Sequence, residues 1–138
     1  MPKLLIIDTG PLISAADTLD PDYSRVLPYL SDRSVHAVIP AMCVAEAAYM
    51  IAGKAGPLVE ARFLAGLIRF EVVAPEMGDW PRIAELVRQY ADFPLGGTDA
   101  SLVALAERMD ADTILTLDVR HFSAVKPRHR ESFRLLPT

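Results

Sequence analysis

The sequence predicts a single α/β domain with a parallel sheet, because short apolar segments alternate with segments of helical periodicity along the whole chain. The apolar segments are continuously hydrophobic, which is typical of strands that are buried on both faces of a parallel sheet. The length of 138 residues suits one domain, and no linker or low-complexity segment divides the chain. We therefore predict one domain over residues 1–138.

Five strands and five helices follow from these patterns. The predicted strands are 3–8, 35–39, 71–73, 113–117 and 133–136. The predicted helices are 21–30, 42–52, 57–70, 80–90 and 99–109. Asp20, Asp79 and Thr98 are the expected N-caps of the first, fourth and fifth helix. The handedness rule for strand–helix–strand crossovers limits the possible strand orders without choosing one of them.

Composition excludes several classes of protein. With 51% hydrophobic and 23% charged residues, the chain is too apolar to be disordered. Its single cysteine, Cys43, excludes an intramolecular disulfide and a cysteine-based zinc site, and it favours a reducing, cytoplasmic setting. No uncharged stretch approaches the roughly 20 residues of a membrane span, and Asp8 interrupts the first apolar run before it reaches signal-peptide length. We expect a soluble protein that does not use a membrane.

Four carboxylates are expected to meet at one edge of the sheet, because ligands of open parallel sheets bind outside the carboxyl ends of the strands. Asp8 and Asp118 end two predicted strands, and Glu46 and Asp99 lie early in helices that begin on the same edge. Taken singly, the two strand-end acids also fit ordinary turns, and Asp99 fits a first-turn acid that complements the helix dipole. Together the four predict an acidic cluster whose repulsion needs a cation to offset it.

Glu46 has an unusual sequence environment. It is the only Asp, Glu, Lys or Arg between Ser34 and Gly53. A helix that is apolar on most sides is largely buried, and a buried charge is costly unless it is paired or bound to a metal. The alternative is a glutamate on a narrow solvent-exposed face of this helix.

An oxygen-only ligand set favours Mg²⁺ or Mn²⁺ over zinc. Ions held by carboxylates can hydrolyse phosphodiesters, since one ion activates the attacking water and another stabilises the leaving oxygen. The chain has no nucleophile elbow, no pair of histidines at metal-binding spacing and no phosphate-binding loop.

Four segments, in order along the whole chain, resemble the PIN-domain ribonucleases and, more narrowly, the VapC-type toxins of bacterial toxin–antitoxin pairs. The segments are DTGPL from Asp8, VAE ending at Glu46, LGGTDAS from Leu95 and LTLDVRHF from Leu115. The resemblance implies a three-layer α/β/α domain with a central parallel sheet of about five strands. It also implies Mg²⁺-dependent endoribonuclease activity, with Mn²⁺ as a substitute, a VapB-type antitoxin as partner and a homodimer.

The resemblance also assigns roles to individual residues. Asp8, Glu46, Asp99 and Asp118 correspond to the acidic, metal-binding catalytic residues, with Asp8 and Asp99 as the direct ligands. Thr9 and Thr116 correspond to polar residues that orient the carboxylates or a water. Gly10 departs from the family pattern, which often has serine there. We expect His121 and Phe122 to be structural and to hold the loop that follows Asp118.

The net charge of −4 and the pI of 5.3 argue at first against a nucleic acid partner. Without the four site acids, however, 14 acidic residues remain against 14 basic ones. The segment after Asp118 is rich in basic residues, and a basic stretch beside a metal site suits phosphate binding. From it we predict an RNA-binding role for Arg120, Lys126, Arg128 and Arg130, with a solvated tail as the alternative.

Two other functions compete with an RNA-cleaving enzyme. A non-catalytic PIN-like module would bind RNA or protein without turnover, but it has no physical reason to keep four carboxylates that repel one another. A signalling receiver domain needs a pair of acids after the first strand, where this chain has only Asp8.

Overall fold

The computed structural model describes residues 2–138 and contains one sheet of five parallel strands, as predicted. The strands occur along the sheet in the order β3-β2-β1-β4-β5. Their bounds are Lys3–Ile7 for β1, Val35–Pro40 for β2, Glu71–Val73 for β3, Thr113–Leu115 for β4 and Arg134–Leu136 for β5. The first strand is therefore central, with β2 and β4 on either side.

Helices cover both faces of this sheet. Neighbouring residues of a strand point to opposite faces, and Ile6 and Ile7 of β1 are both fully buried. The same holds for Val38 and Ile39 of β2. The three-layer α/β/α architecture expected from the family resemblance is confirmed. Within residues 2–138, no helix is long and apolar enough to cross a membrane.

Seven α-helices and one 3₁₀ turn connect the strands within residues 2–138. The helices are α1 Thr9–Ala15, α2 Tyr23–Leu30, α3 Ala41–Ala55, α4 Pro57–Gly66, α5 Asp79–Gln89, α6 Gly97–Arg108 and α7 Val119–Ala124. The 3₁₀ turn, Leu67–Arg69, follows α4. The sequence did not predict α1 and α7, which have seven and six residues. Helices of one or two turns are too short to establish a hydrophobic period.

The three predicted N-caps were wrong, because each side chain has another partner or position. The Asp20 carboxylate accepts a hydrogen bond from the Asp22 amide, and Asp22 itself precedes α2. Asp79 is the first residue of α5, and its carboxylate binds the Glu76 amide and the Arg108 guanidinium of α6. Thr98 lies inside the first turn of α6, whose N-cap is Gly96.

Candidate active site

The four predicted carboxylates line one pocket of about 480 Å³ at the carboxyl edge of the sheet. Asp8 directly follows β1 and Asp118 follows β4, which is hydrogen-bonded to β1. The chain leaves β1 towards β2 on one side, and β4 lies on the other, so the pocket is at the switch point where open α/β sheets bind ligands. Asp99 is in the first turn of α6, and Glu46 is on α3.

Asp8 is the most buried of the four acids, with only 5% of its surface exposed. The Thr116 hydroxyl donates a hydrogen bond to Oδ2 of Asp8 over 2.7 Å, and the Asp8 amide donates to the Leu115 carbonyl over 2.9 Å. Burial raises the pKa of Asp8, and repulsion from Asp118 and Glu46 adds to this, while the Thr116 hydrogen bond acts in the opposite direction. The position of this carboxylate is therefore fixed by the sheet itself.

Asp99 is the acid whose ionisation the pocket opposes most clearly. Partial burial, followed by repulsion from Asp8, Asp118 and Glu46, raises its pKa to about 7. The four groups thus do not all carry full charge at neutral pH unless a positive charge joins them. The pocket therefore fits a divalent cation with oxygen ligands, because such an ion offsets this repulsion.

Asp118 is held by the helix that begins after it. Its Oδ1 accepts a hydrogen bond from the His121 amide over 3.1 Å, and its Oδ2 lies 2.7 Å from Nδ1 of the His121 ring. Phe122, the next residue, is almost fully buried. The expectation that His121 and Phe122 lock the loop after Asp118 agrees with these contacts.

His121 has a second property that the sequence did not reveal. Asp99, Asp118 and His121 each offer a ligand atom, and these three atoms lie within 4.8 Å of one another. The signal in the sequence was the three-residue spacing from Asp118 to His121, which is the spacing of an N-cap and the third residue of its helix.

Glu46 reaches the pocket from an exposed position. Of the two environments that the sequence left open for Glu46, the exposed one is correct: the buried stripe of α3 is formed by Cys43, Ala47 and Ile51, and Glu46 lies on the exposed side with Tyr49. The four-residue spacing of the stripe leaves a solvent-exposed face on an otherwise apolar helix. Glu46 nevertheless lines the pocket, and its charge contributes to the raised pKa values of Asp8 and Asp99.

The two predicted threonines lie beneath the carboxylates. The Thr116 Oγ1 donates to Asp8 and accepts a hydrogen bond from the Asp118 amide over 2.9 Å, so one hydroxyl links two of the acids. Thr9 is buried beside Asp8, and its Oγ1 has no hydrogen-bond partner within residues 2–138. The Sγ of Cys43 lies 4.0 Å from Oδ1 of Asp8, and burial raises the pKa of this thiol.

The four predicted RNA-binding residues do not lie together. Arg120 follows Asp118 in α7, and Lys126 has an exposed side chain further along the chain. Arg128 instead forms an ion pair with Glu85, and Arg130 with Asp110, which precedes β4 and thus lies near the opposite edge of the sheet. The expected location of Arg128 and Arg130 was wrong, because the chain after α7 must return to the amino edge before β5 can pair in parallel.

Comparison with known proteins assigns the chain to a family. Residues 5–126 match the sequence profile of the PIN domain. The chain belongs to the PIN-domain family. Within this family it is 33% identical over 135 residues to Ribonuclease VapC26 of Mycobacterium tuberculosis, a match that covers 96% of this chain and all of that protein.

Solved structures of the same fold come from toxin–antitoxin systems. VapC20 of Mycobacterium tuberculosis, described as a sarcin–ricin loop cleaving toxin, aligns with a TM-score of 0.71 at 12% identity, covering 80% of this chain and 86% of that one. DNA-bound VapBC of Salmonella typhimurium aligns with a TM-score of 0.68 at 20% identity, covering 99% of this chain and 98% of that one. At these identities the structural matches establish the PIN-domain fold.

The Thr116 hydroxyl is expected to support metal binding without ligating the ion. Replacing Thr116 with valine removes the hydrogen bonds to Asp8 and Asp118 at nearly unchanged volume, and loss of such a supporting contact weakens metal binding by roughly 10–100-fold. Calorimetric titration with Mn²⁺ measures the effect. Thr113→Val is the matched control, because Thr113 is a buried threonine like Thr116, but its hydroxyl donates to the Asp112 carboxylate. Equal Mn²⁺ affinities for the two variants would contradict this role.

The raised pKa of Asp99 predicts how stability responds to pH in EDTA. The folded protein holds this proton up to about pH 7, whereas the unfolded chain releases it near 3.8. The contribution of Asp99 to the free energy of unfolding therefore falls as pH rises from about 4 to 7. The Asp99→Asn variant has no carboxylate to ionise and does not lose this stability. At pH 8 its melting temperature should therefore exceed that of the wild type, by roughly 2–4 °C for each kcal/mol of destabilisation that ionised Asp99 causes.

Differential scanning fluorimetry at pH 5 and pH 8 checks this prediction, with the exposed Glu131→Gln as a control for the loss of one negative charge. Adding Mg²⁺ at pH 8 should raise the melting temperature of the wild type and leave Asp99→Asn almost unchanged. If the difference in melting temperature between Asp99→Asn and the wild type in EDTA does not increase from pH 5 to pH 8, the pKa of Asp99 is not raised as inferred.

Proposed function

We propose that this protein is an endoribonuclease that depends on Mg²⁺, with Mn²⁺ as a substitute, and that it acts in the cytoplasm as the toxin of a VapBC-type pair. The observation that carries the proposal is the convergence of Asp8, Glu46, Asp99 and Asp118 on one pocket. The relationship to a protein named Ribonuclease VapC26 supports RNA as the substrate. Metal-dependent RNA cleavage also uses all four carboxylates, whereas a binding module would keep their mutual repulsion without any use for them.

Each acid has a distinct part in this proposal. Asp8 and Asp99 would hold the cation, since one is fixed by Thr116 and the other is the acid most opposed to ionisation without it. Asp118 is oriented by His121, and its carboxylate lies close enough to that of Asp99 to contribute to the same cation site. Glu46 is exposed on the wall, where its carboxylate can accept a hydrogen bond from an entering water. When bound, a divalent cation supplies a lowered pKa for water and positive charge for the phosphodiester.

The direct test is cleavage of total RNA by the purified protein. We expect cutting with Mg²⁺ or Mn²⁺ and none with EDTA. Asp8→Asn and Asp99→Asn should lose at least the roughly 10–100-fold that removal of a supporting contact costs in such sites, while Glu131→Gln cuts like the wild type. An Asp99→Asn protein that is folded by circular dichroism and cuts at the wild-type rate would refute the proposal. Metal-dependent stabilisation without any cleavage would favour the binding module.

The surface supports a protein partner for this enzyme. A groove of about 970 Å³ lies on the side of the domain formed by α1, α2, α4 and β2. Its apolar lining includes Leu12, Leu27, Leu30, Val59, Phe63 and Phe70. We propose that an apolar segment of a VapB-type antitoxin binds there. The exposed side chains of Tyr49, Leu58 and Ile68, on α3, α4 and the turn after α4, give a further apolar surface that suits the proposed homodimer.

The antitoxin proposal, tested by co-expression, predicts that the gene is adjoined by a small open reading frame. Its product should co-purify with this protein and abolish RNA cleavage. Leu27→Asp places a charge in the groove and should weaken the complex at least about tenfold. Met77→Asp, which changes an exposed apolar residue outside both the groove and the proposed dimer surface, is the control. Inhibition that is equally strong for both variants would place the antitoxin elsewhere.

A further inference from the structure

Three side chains form a stack beside the acidic pocket. The guanidinium carbon of Arg120 lies 5.2 Å from the centre of the Phe93 ring. The Phe93 ring is in turn 5.0 Å from the His121 ring, tilted by 52°. His121 also contacts Asp118, so the stack extends from a solvent-exposed cation to one of the site acids. Phe93 belongs to the loop before α6, whereas Arg120 and His121 belong to α7.

The stability of the fold does not account for this arrangement. Phe93 keeps part of its surface exposed, and Arg120 is exposed on α7. Within residues 2–138, Arg120 has no carboxylate within 4.0 Å, unlike Arg128 and Arg130, which are engaged in ion pairs. An exposed cation–π contact is a weak source of stability. The pair therefore presents a planar cation and an aromatic ring to solvent, with no internal partner that would neutralise the cation.

We propose that Phe93 and Arg120 form a stacking site for one unpaired RNA base adjacent to the cleaved phosphodiester. This inference rests on the proposed ribonuclease function. Unpaired bases are recognised by stacking on aromatic rings and on guanidinium planes, and here a guanidinium lies over an aromatic ring. Arg120 also offers the positive charge that a neighbouring phosphate needs. His121 contacts both Phe93 and Asp118, so a base on the stack lies one side chain away from the acidic pocket.

The site gives a preference for single-stranded RNA. A base that is paired in a duplex cannot leave its neighbours without an unstacking cost, so it does not reach Phe93 as readily as a base in a loop. Stacking surfaces of this kind tolerate any base, because every base has an aromatic face. We therefore expect selection for unpaired structure at this position, with little discrimination among the four bases.

Equilibrium binding in EDTA tests the stack without cleavage. The Asp99→Asn protein serves as the background, and the probe is a short single-stranded RNA that carries 2-aminopurine, whose fluorescence decreases when it stacks. Adding Phe93→Leu or Arg120→Ala should weaken binding roughly 5- to 100-fold and remove the quenching. Phe93→Tyr should retain both, because the ring remains. Arg120→Lys should retain the salt dependence of binding but lose the quenching, because the plane is lost and the charge is kept.

A matched control separates stacking from general charge. Arg134→Ala also removes one exposed arginine, but Arg134 opens β5 at the amino edge of the sheet, away from the pocket. It should bind the probe as the background protein does. Wild-type affinity and quenching in both Phe93→Leu and Arg120→Ala would overturn the proposal, as would a Phe93→Tyr variant that binds as weakly as Phe93→Leu. An Arg134→Ala variant as weak as Arg120→Ala would also overturn it, since charge alone would then explain binding.

This test and the test of the proposed function fail in different ways. If the wild-type protein cuts RNA but the stack variants bind and cut normally, the ribonuclease function stands and the base site is refuted. If the wild-type protein cuts no RNA under any metal condition, the proposed function is refuted. The quenching experiment still decides the stacking site, because it uses uncut RNA and no metal.

Discussion

Mutual repulsion among four carboxylates at the end of β1 and β4 is the constraint on which the rest of this structure depends. Burial raises the pKa of Asp8, and the neighbouring acids add to the raised pKa of Asp99. Such a cluster stores unfavourable free energy that the remainder of the fold must offset. The parallel sheet does so, because β1 is central and its Ile6 and Ile7 are completely buried immediately before Asp8.

Hydrogen bonds hold two of the four acids, Asp8 and Asp118, in place. The Thr116 hydroxyl donates a hydrogen bond to the Asp8 carboxylate and accepts one from the Asp118 amide, so it connects the side chain of one acid to the backbone of another. The amide and the ring nitrogen of His121 contact the two carboxylate oxygens of Asp118 and so fix its orientation. The Thr116 donor stabilises the charged form of Asp8, whereas the carboxylates of Asp99 and Glu46 have no such donor among residues 2–138. A cation would take the place of such a donor.

The parts of this site that the sequence could predict are those with a simple rule behind them. The ends of parallel strands meet at one edge, so Asp8 and Asp118 were predictable from their strands alone. For Glu46 the sequence left burial and exposure both open, because the apolar surroundings of α3 conceal a stripe with a four-residue spacing. A structural role for His121 beside Asp118 was predicted, but the short α7 carried no periodic signal, so the stacking of His121 with Phe93 could not be predicted. Contacts between a loop and a helix need the folded chain.

The structure distributes the basic residues differently from what the sequence predicts. The net charge of −4 argues against RNA as a partner, whereas the basic segment after Asp118 predicts four RNA-binding residues. The structure divides that segment, because Arg128 and Arg130 are engaged with acids of α5 and of the turn before β4. Charges neutralised in this way contribute little field at the pocket. What remains there is the acidic cluster, with the cation of Arg120 beside it. The local field depends on these few groups and not on the net charge of the chain.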